Sequence, residues 1–172
     1  MVMKKLYPLL LFLVLCSTVT LAQQSMKFGH INSAELMSVM PDLKAVETQL
    51  ETEFKTKEDQ LTAIQEELRS KQTDYQQNAS AMTPEQRAAK EQELGELGQK
   101  AQNFYMLAQQ QLQAKENELK APVIQKLKAA IQEVGDEEGF LYIFELSSGM
   151  PLYHSEKSVD VAPLVKAKLG IQ

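Results

Sequence analysis

The sequence predicts an α+β fold that is mostly α, in which a long antiparallel helical hairpin, a coiled-coil arm, projects from a small β-rich oligomerisation body. Apolar residues recur at steps of three and four over roughly a hundred residues, the mark of a helical seam. That run is broken once, around Asn78 to Pro84, and short β-type segments flank it at Phe28–Ile31 and Phe140–Leu146. With 44% hydrophobic residues but only 6% aromatic and no Trp, the 172-residue chain has material for helix seams and little for a bulky core.

Residues 1–22 stand apart from the fold as a secretory signal peptide. Lys4 and Lys5 form its positive start, Leu6 to Leu15 its apolar stretch, and Thr20-Leu21-Ala22 a small-residue site for cleavage after Ala22. A membrane anchor is the alternative, but the apolar run is short of the ~20 residues a span needs. Cys16 is the single cysteine and lies in this segment behind Leu15, where lipidation requires a small side chain. The mature chain therefore has no thiol and no disulfide. Without Lys4 and Lys5 it carries 16 basic against 23 acidic residues, a formal charge of about −7. A chain this acidic is a poor partner for nucleic acid, whose phosphates need a basic face.

Met26 to Ile31 alternates as a half-buried strand does, and Asn32 with Glu35 opens a short helix running to Val39. Pro41 starts the next helix, with Asp42 at its positive end. The expected seam is Leu43, Val46, Leu50, Phe54, Leu61, Ile64, Leu68 and Tyr75, and Lys57 and Lys71 occupy places where it calls for an apolar side chain. Thr83-Pro84-Glu85-Gln86 is a capping box that starts the returning helix. A connection this short makes the two helices antiparallel, giving an arm roughly 60 Å long from about forty residues at 1.5 Å each.

On the returning helix the seam is Leu94, Leu97, Ala101, Tyr105, Ala108, Leu112, Leu119, Val123, Leu127, Ala130 and Val134. Pro122 predicts a kink near Lys120 to Val123. Gly135 and Gly139 are expected to end the helix. Phe140 to Leu146 then reads as a strand, Ser147-Ser148-Gly149 as a turn, Leu152 to Ser155 as its hairpin partner, and Val159 to Leu169 as a short amphipathic helix. The resulting division is a split body of residues 23–41 and 135–172 and an arm of residues 42–134 with its tip near 78–84.

No catalytic constellation stands out: there is no phosphate-cradling glycine loop and no Ser or Cys nucleophile motif. His30 and His154 are the only histidines, and both fall in predicted strands. Two strand histidines without a cysteine are more often hydrogen-bonded or solvated than metal-bound. No cofactor is expected. What remains is surface. Candidates for contact with a partner are Tyr75, Ala79, Ala81, Met82, Leu94, Leu97, Tyr105 and Met106 on the arm, and candidates for self-association are Phe28, Ile31, Leu141, Tyr142, Ile143, Phe144 and Leu152 in the body.

The whole arrangement, with FGHINSAELM-x-x-MP at the opening and GFLYIFELSSGMPLYHSEKSVDVAPLVKAKL at the close, resembles the OmpH/Skp family of periplasmic chaperones. The resemblance implies a jellyfish-like homotrimer whose strands form a compact body and whose arms surround a cavity. Unfolded outer-membrane β-barrel proteins would be held there without ATP, in the periplasm, with transient approach to a membrane surface left open. The charge departs from the family pattern, since Asp42 to Lys120 counts ten Lys and Arg against fifteen Asp and Glu. That balance argues against lipopolysaccharide binding, and no residues for it are carried over. A structural spacer or adaptor of the cell envelope is the alternative reading.

Overall fold

The computed structural model describes residues 26–171, so the signal peptide and Cys16 lie outside the described residues. Elements follow in the order β1 (Lys27–Ile31), α1 (Ser33–Ser38), α2 (Pro41–Asn78), a 3-10 turn (Ala79–Ala81), α3 (Pro84–Glu138), β2 (Phe140–Glu145), β3 (Val159–Asp160) and α4 (Ala162–Leu169).

Local chemistry sets most helix ends. Asn32 Oδ1 accepts from the Glu35 N–H at 3.1 Å and starts α1. Pro41 begins α2, where the missing N–H costs nothing. Thr83 and Gln86 close the capping box in both directions, at 3.3 and 2.9 Å. Gly139 ends α3 in the left-handed region with φ 68°, which is open to glycine without strain.

Helices α2 and α3 pack side by side in opposite directions. Contacts between them step outward in register, from Asp42–Lys126 at 2.9 Å through Lys57–Gln111 at 2.9 Å to Lys71–Glu93 near the turn. The lysines expected to interrupt the seam do occupy it, and they are satisfied there by partners on the opposite helix. Hydrogen bonding to Glu93 holds the Lys71 ammonium above the ordinary lysine value. Phe54, expected in the seam, is 57% exposed, and Glu53 takes the half-buried position instead. Counting back from Lys57 by the 3.6-residue turn selects residue 53, which leaves Phe54 rotated off the interface.

The sheet differs from expectation. Its order is β2-β1-β3, and both pairings are parallel. Phe28 faces Tyr142 and His30 faces Phe144 on one side of β1, while Gly29 faces Val159 on the other. The antiparallel hairpin of Phe140–Leu146 with Leu152–Ser155 does not form. β2 pairs with β1 alone, and Pro151, just before the expected partner segment, has no N–H to give a ladder. Parallel strands require a long crossover, and here α1, α2 and α3 together make it. Val159, expected in the last helix, belongs to β3, and α4 starts only at Ala162.

The core lies where one sheet face meets the start of α2 and the end of α3. Ile31, Leu36, Met40, Val46, Val123, Leu127, Val134, Val161 and Val165 form it, and Leu36, Met40, Val161 and Val165 are fully buried. Gly135 does not stop α3. A Cβ there would stand 3.5 Å from Ile143 Cδ1, an ordinary contact, so the helix simply runs through this glycine. Pro122 sits on the exposed side of α3 and does not end it. Lys168 reaches Glu133 at 3.2 Å and Glu137 at 2.6 Å, tying α4 to the last turns of α3.

Glu145 fastens the far end of β2. Its carboxylate accepts from the Ser33 N–H at 3.2 Å and from the Ser147 N–H at 2.7 Å. Burial pushes its pKa up, but these donors outweigh burial and leave it below the ordinary glutamate value. A lowered native pKa contributes stability that is present above the unfolded value and is lost as pH falls through the native one. Glu145→Gln is therefore expected to lower stability by about 1 kcal/mol at pH 7. The gap to the parent should close below about pH 4. Urea unfolding of both chains at pH 7 and pH 3.5 checks this, and an equal gap at both values overturns it.

Candidate functional site

Two surfaces remain after the core is accounted for. One is the second face of the sheet. Side chains alternate across a strand, so with Gly29 and Ile31 turned inward, Phe28 and His30 point outward. Tyr142 and Phe144 join them from β2. Phe28 stacks with Tyr142 at 6.4 Å and with Phe144 at 6.3 Å, and Tyr142 stacks with Phe144 at 5.9 Å. Tyr142 is 60% exposed and Phe144 46%, and among the described residues no helix covers them. Three stacked aromatics left in water are unusual on a monomer, because their contiguous apolar area has no partner.

Residues 147–158 border that face without forming a strand. They leave an open groove of about 780 Å³ lined by Phe28, His30, Phe144, Met150, Tyr153 and His154. The His30 and His154 rings stack at 4.2 Å, and His30 Nδ1 shares a hydrogen bond with Ser158 Oγ at 2.9 Å. The two histidines are thus brought together, His154 from a loop and not from the predicted strand. Among the described residues no group of three or more His, Cys, Asp or Glu is placed to hold a metal ion.

The remaining residues singled out for self-association are dispersed. Ile31 is in the core at 2% exposure, where it has no surface to offer. Ile143 packs half-buried against the same core. Leu141 is exposed where the register slips between Lys27 and Phe28, and Leu152 is 98% exposed in the loop.

The second surface is the helix pair. Leu97 is buried in its seam and Leu94 half-buried, so both support the pairing of the helices. Tyr75 is half-buried and donates to Glu91, a bond that raises its pKa. At the turn Ala81 is exposed, while Ala79 and Met82 are half-buried. Tyr105 and Met106 are exposed. Leu107 beside them is exposed as well and was not among the residues singled out from the sequence.

Among the described residues no helix is long and apolar enough to cross a membrane. The family described as outer membrane protein (OmpH-like) matches residues 27–169. A chaperone protein Skp of Photorhabdus luminescens is 29% identical over 151 residues, 86% of this chain and 88% of the relative. A chaperone protein Skp of Vibrio cholerae is 25% identical over 141 residues, covering 80% and 83%. The solved structure of an OmpH-like protein from Caulobacter crescentus CB15 superposes with a TM-score of 0.74 at 17% identity, over 84% of this chain and 83% of that one. At that identity the last likeness speaks for the fold, and the family match spans both strand pairings and both long helices. The chain belongs to the OmpH family.

Proposed function

We propose that this protein is an ATP-independent holdase of the bacterial periplasm, exported by its N-terminal signal and assembled as a homotrimer. The sheets of three chains form the body, paired helices project from it as arms, and unfolded outer-membrane β-barrel proteins are held in the cavity between them. The observation that carries this reading is the uncovered aromatic face of Phe28, Tyr142 and Phe144 at the root of two long helices. A surface built to self-associate gathers several arms, and many weak contacts along the arms retain a client while leaving it mobile. The likeness to Skp chaperones along most of both chains supports the same reading. Lys71 and Lys126 pair with carboxylates across the two helices and the arm keeps an acidic excess, which supports retention by apolar contact more than by a positively charged cavity.

The test is aggregation of a urea-denatured β-barrel outer-membrane protein on dilution into buffer without nucleotide. Mature protein in molar excess is expected to suppress the rise in light scattering. Unchanged aggregation sinks the proposal.

A further inference from the structure

From Lys27 to the end of the chain, the longest run without a charged residue is Ala101–Ala114, AQNFYMLAQQQLQA, in the middle of α3. It is fourteen residues, about 21 Å of helix at 1.5 Å per residue. Ala101, Phe104, Ala108 and Leu112 turn toward α2, and Ala108 is buried. Tyr105, Met106 and Leu107 do not share that direction, and they are 51%, 57% and 52% exposed.

Consecutive helix residues are about 100° apart, so Met106 points directly away from the seam while Tyr105 and Leu107 flank it on opposite sides. No single helical face can bury all three. A partner helix needs apolar residues at steps of three and four, so this arrangement is unsuited to another arm or a second coiled coil. A flexible chain that passes around the helix can touch all three. Amides fill the remaining positions. Gln109 donates to the Tyr105 hydroxyl at 2.6 Å and Gln111 accepts from Lys57, whereas Gln102, Asn103 and Gln110 stand exposed. Such side chains can donate to and accept from the unpaired backbone of an extended peptide. Phe54, one turn from Lys57 on α2, adds an exposed ring at the Ala114 end of the window.

We propose that Ala101–Ala114 is the principal client-docking segment, and that it takes uncharged stretches of extended, non-native polypeptide. This rests on the holdase reading and narrows the contact candidates of the arm to the middle of α3. Charge sets the choice of partner. The chain is acidic, with a pI near 5.2, which repels phosphates and anionic lipid, while the uncharged window imposes no repulsion on a neutral strand.

The experiment uses the mature full-length protein and a urea-denatured outer-membrane β-barrel protein carrying an environment-sensitive fluorophore. The variants are Tyr105→Gln/Met106→Gln/Leu107→Gln, the single change Met106→Glu, and Met82→Gln at the tip. The triple variant is expected to raise Kd at least tenfold and Met106→Glu at least threefold, with helicity and assembly mass unchanged. Met82→Gln should stay within twofold of the parent. Binding by the triple variant within twofold overturns the proposal, as does an equal loss in Met82→Gln. A changed assembly mass in the triple variant also overturns it, by showing the window to be a contact between copies. If the parent fails to bind the probe at all, the holdase reading itself falls, a result distinct from a parent that binds and a triple variant that binds equally well.

Discussion

Tyr142→Asp and Phe144→Asp are each expected to convert the assembled protein into single chains. Both residues lie on the outer face of the sheet, stacked with one another and with Phe28, and neither side chain contributes to the core of its own chain. Either change should therefore leave the fold of one subunit intact while placing a carboxylate inside the proposed contact. A buried charge without a partner costs about 3 kcal/mol or more. At about 1.4 kcal/mol per factor of ten, that weakens association by about a hundredfold for each contact it enters. Light scattering at micromolar concentration should report the mass of the parent assembly for the wild type and of one chain for either variant. Far-UV circular dichroism should be the same for all three. Client retention should fall with the mass, because a lone arm encloses nothing. Full mass in both variants would remove this face from the assembly, and a wild type that scatters as one chain would remove the trimer.

The same residues mark where sequence reasoning succeeded and where it ran out. Helix starts were legible because each is a local event: Asn32 bonds three residues on, and Thr83 and Gln86 cap each other. The seam was legible because it is periodic. The partners of the strands were not, since β1 and β2 are joined across the length of two long helices and no short-range signal encodes their pairing. Ser147-Ser148-Gly149 does form a turn, with Gly149 at φ 67°, but a turn does not oblige the chain to pair with itself when a better strand is at hand. Gly135 illustrates a related ambiguity: a glycine that ends a helix and one that a helix merely runs through look alike in sequence. Among the site residues, exposure depended on one position of helical phase. Phe54 fell outside the seam and Leu97 inside it, and Tyr105, expected in the seam, is exposed while Phe104 takes the half-buried position.

Gly29→Val should be strongly destabilising while leaving both proposed working surfaces untouched. Gly29 is at the centre of β1 with a partner on each side, Ile143 from β2 and Val159 from β3. Its backbone is ordinary, so the requirement for glycine comes from space and not from torsion. A Cβ at this position would stand 2.9 Å from Val161 Cγ1 and 3.1 Å from the Phe140 ring. Val161 is fully buried and cannot yield by rotating into solvent. Phe140 is pinned by the Lys27 ammonium, which sits 4.1 Å above its ring while reaching Glu138 at 3.0 Å. Overpacking of this kind costs about 1–3 kcal/mol, and the added methyls of valine place it at the upper end. For a chain of this length that corresponds to a fall in Tm of about 6–12 °C. The steric account makes a sharper demand than the loss itself. Val161→Ala, costly alone because it opens a cavity, should recover part of the stability when combined with Gly29→Val, since the deleted methyl groups are those the new side chain meets. A double-mutant cycle by urea unfolding measures this coupling. Simple additivity, or a Gly29→Val chain as stable as the parent, would show that the centre of the sheet has slack that the packing of Val161 and Phe140 denies.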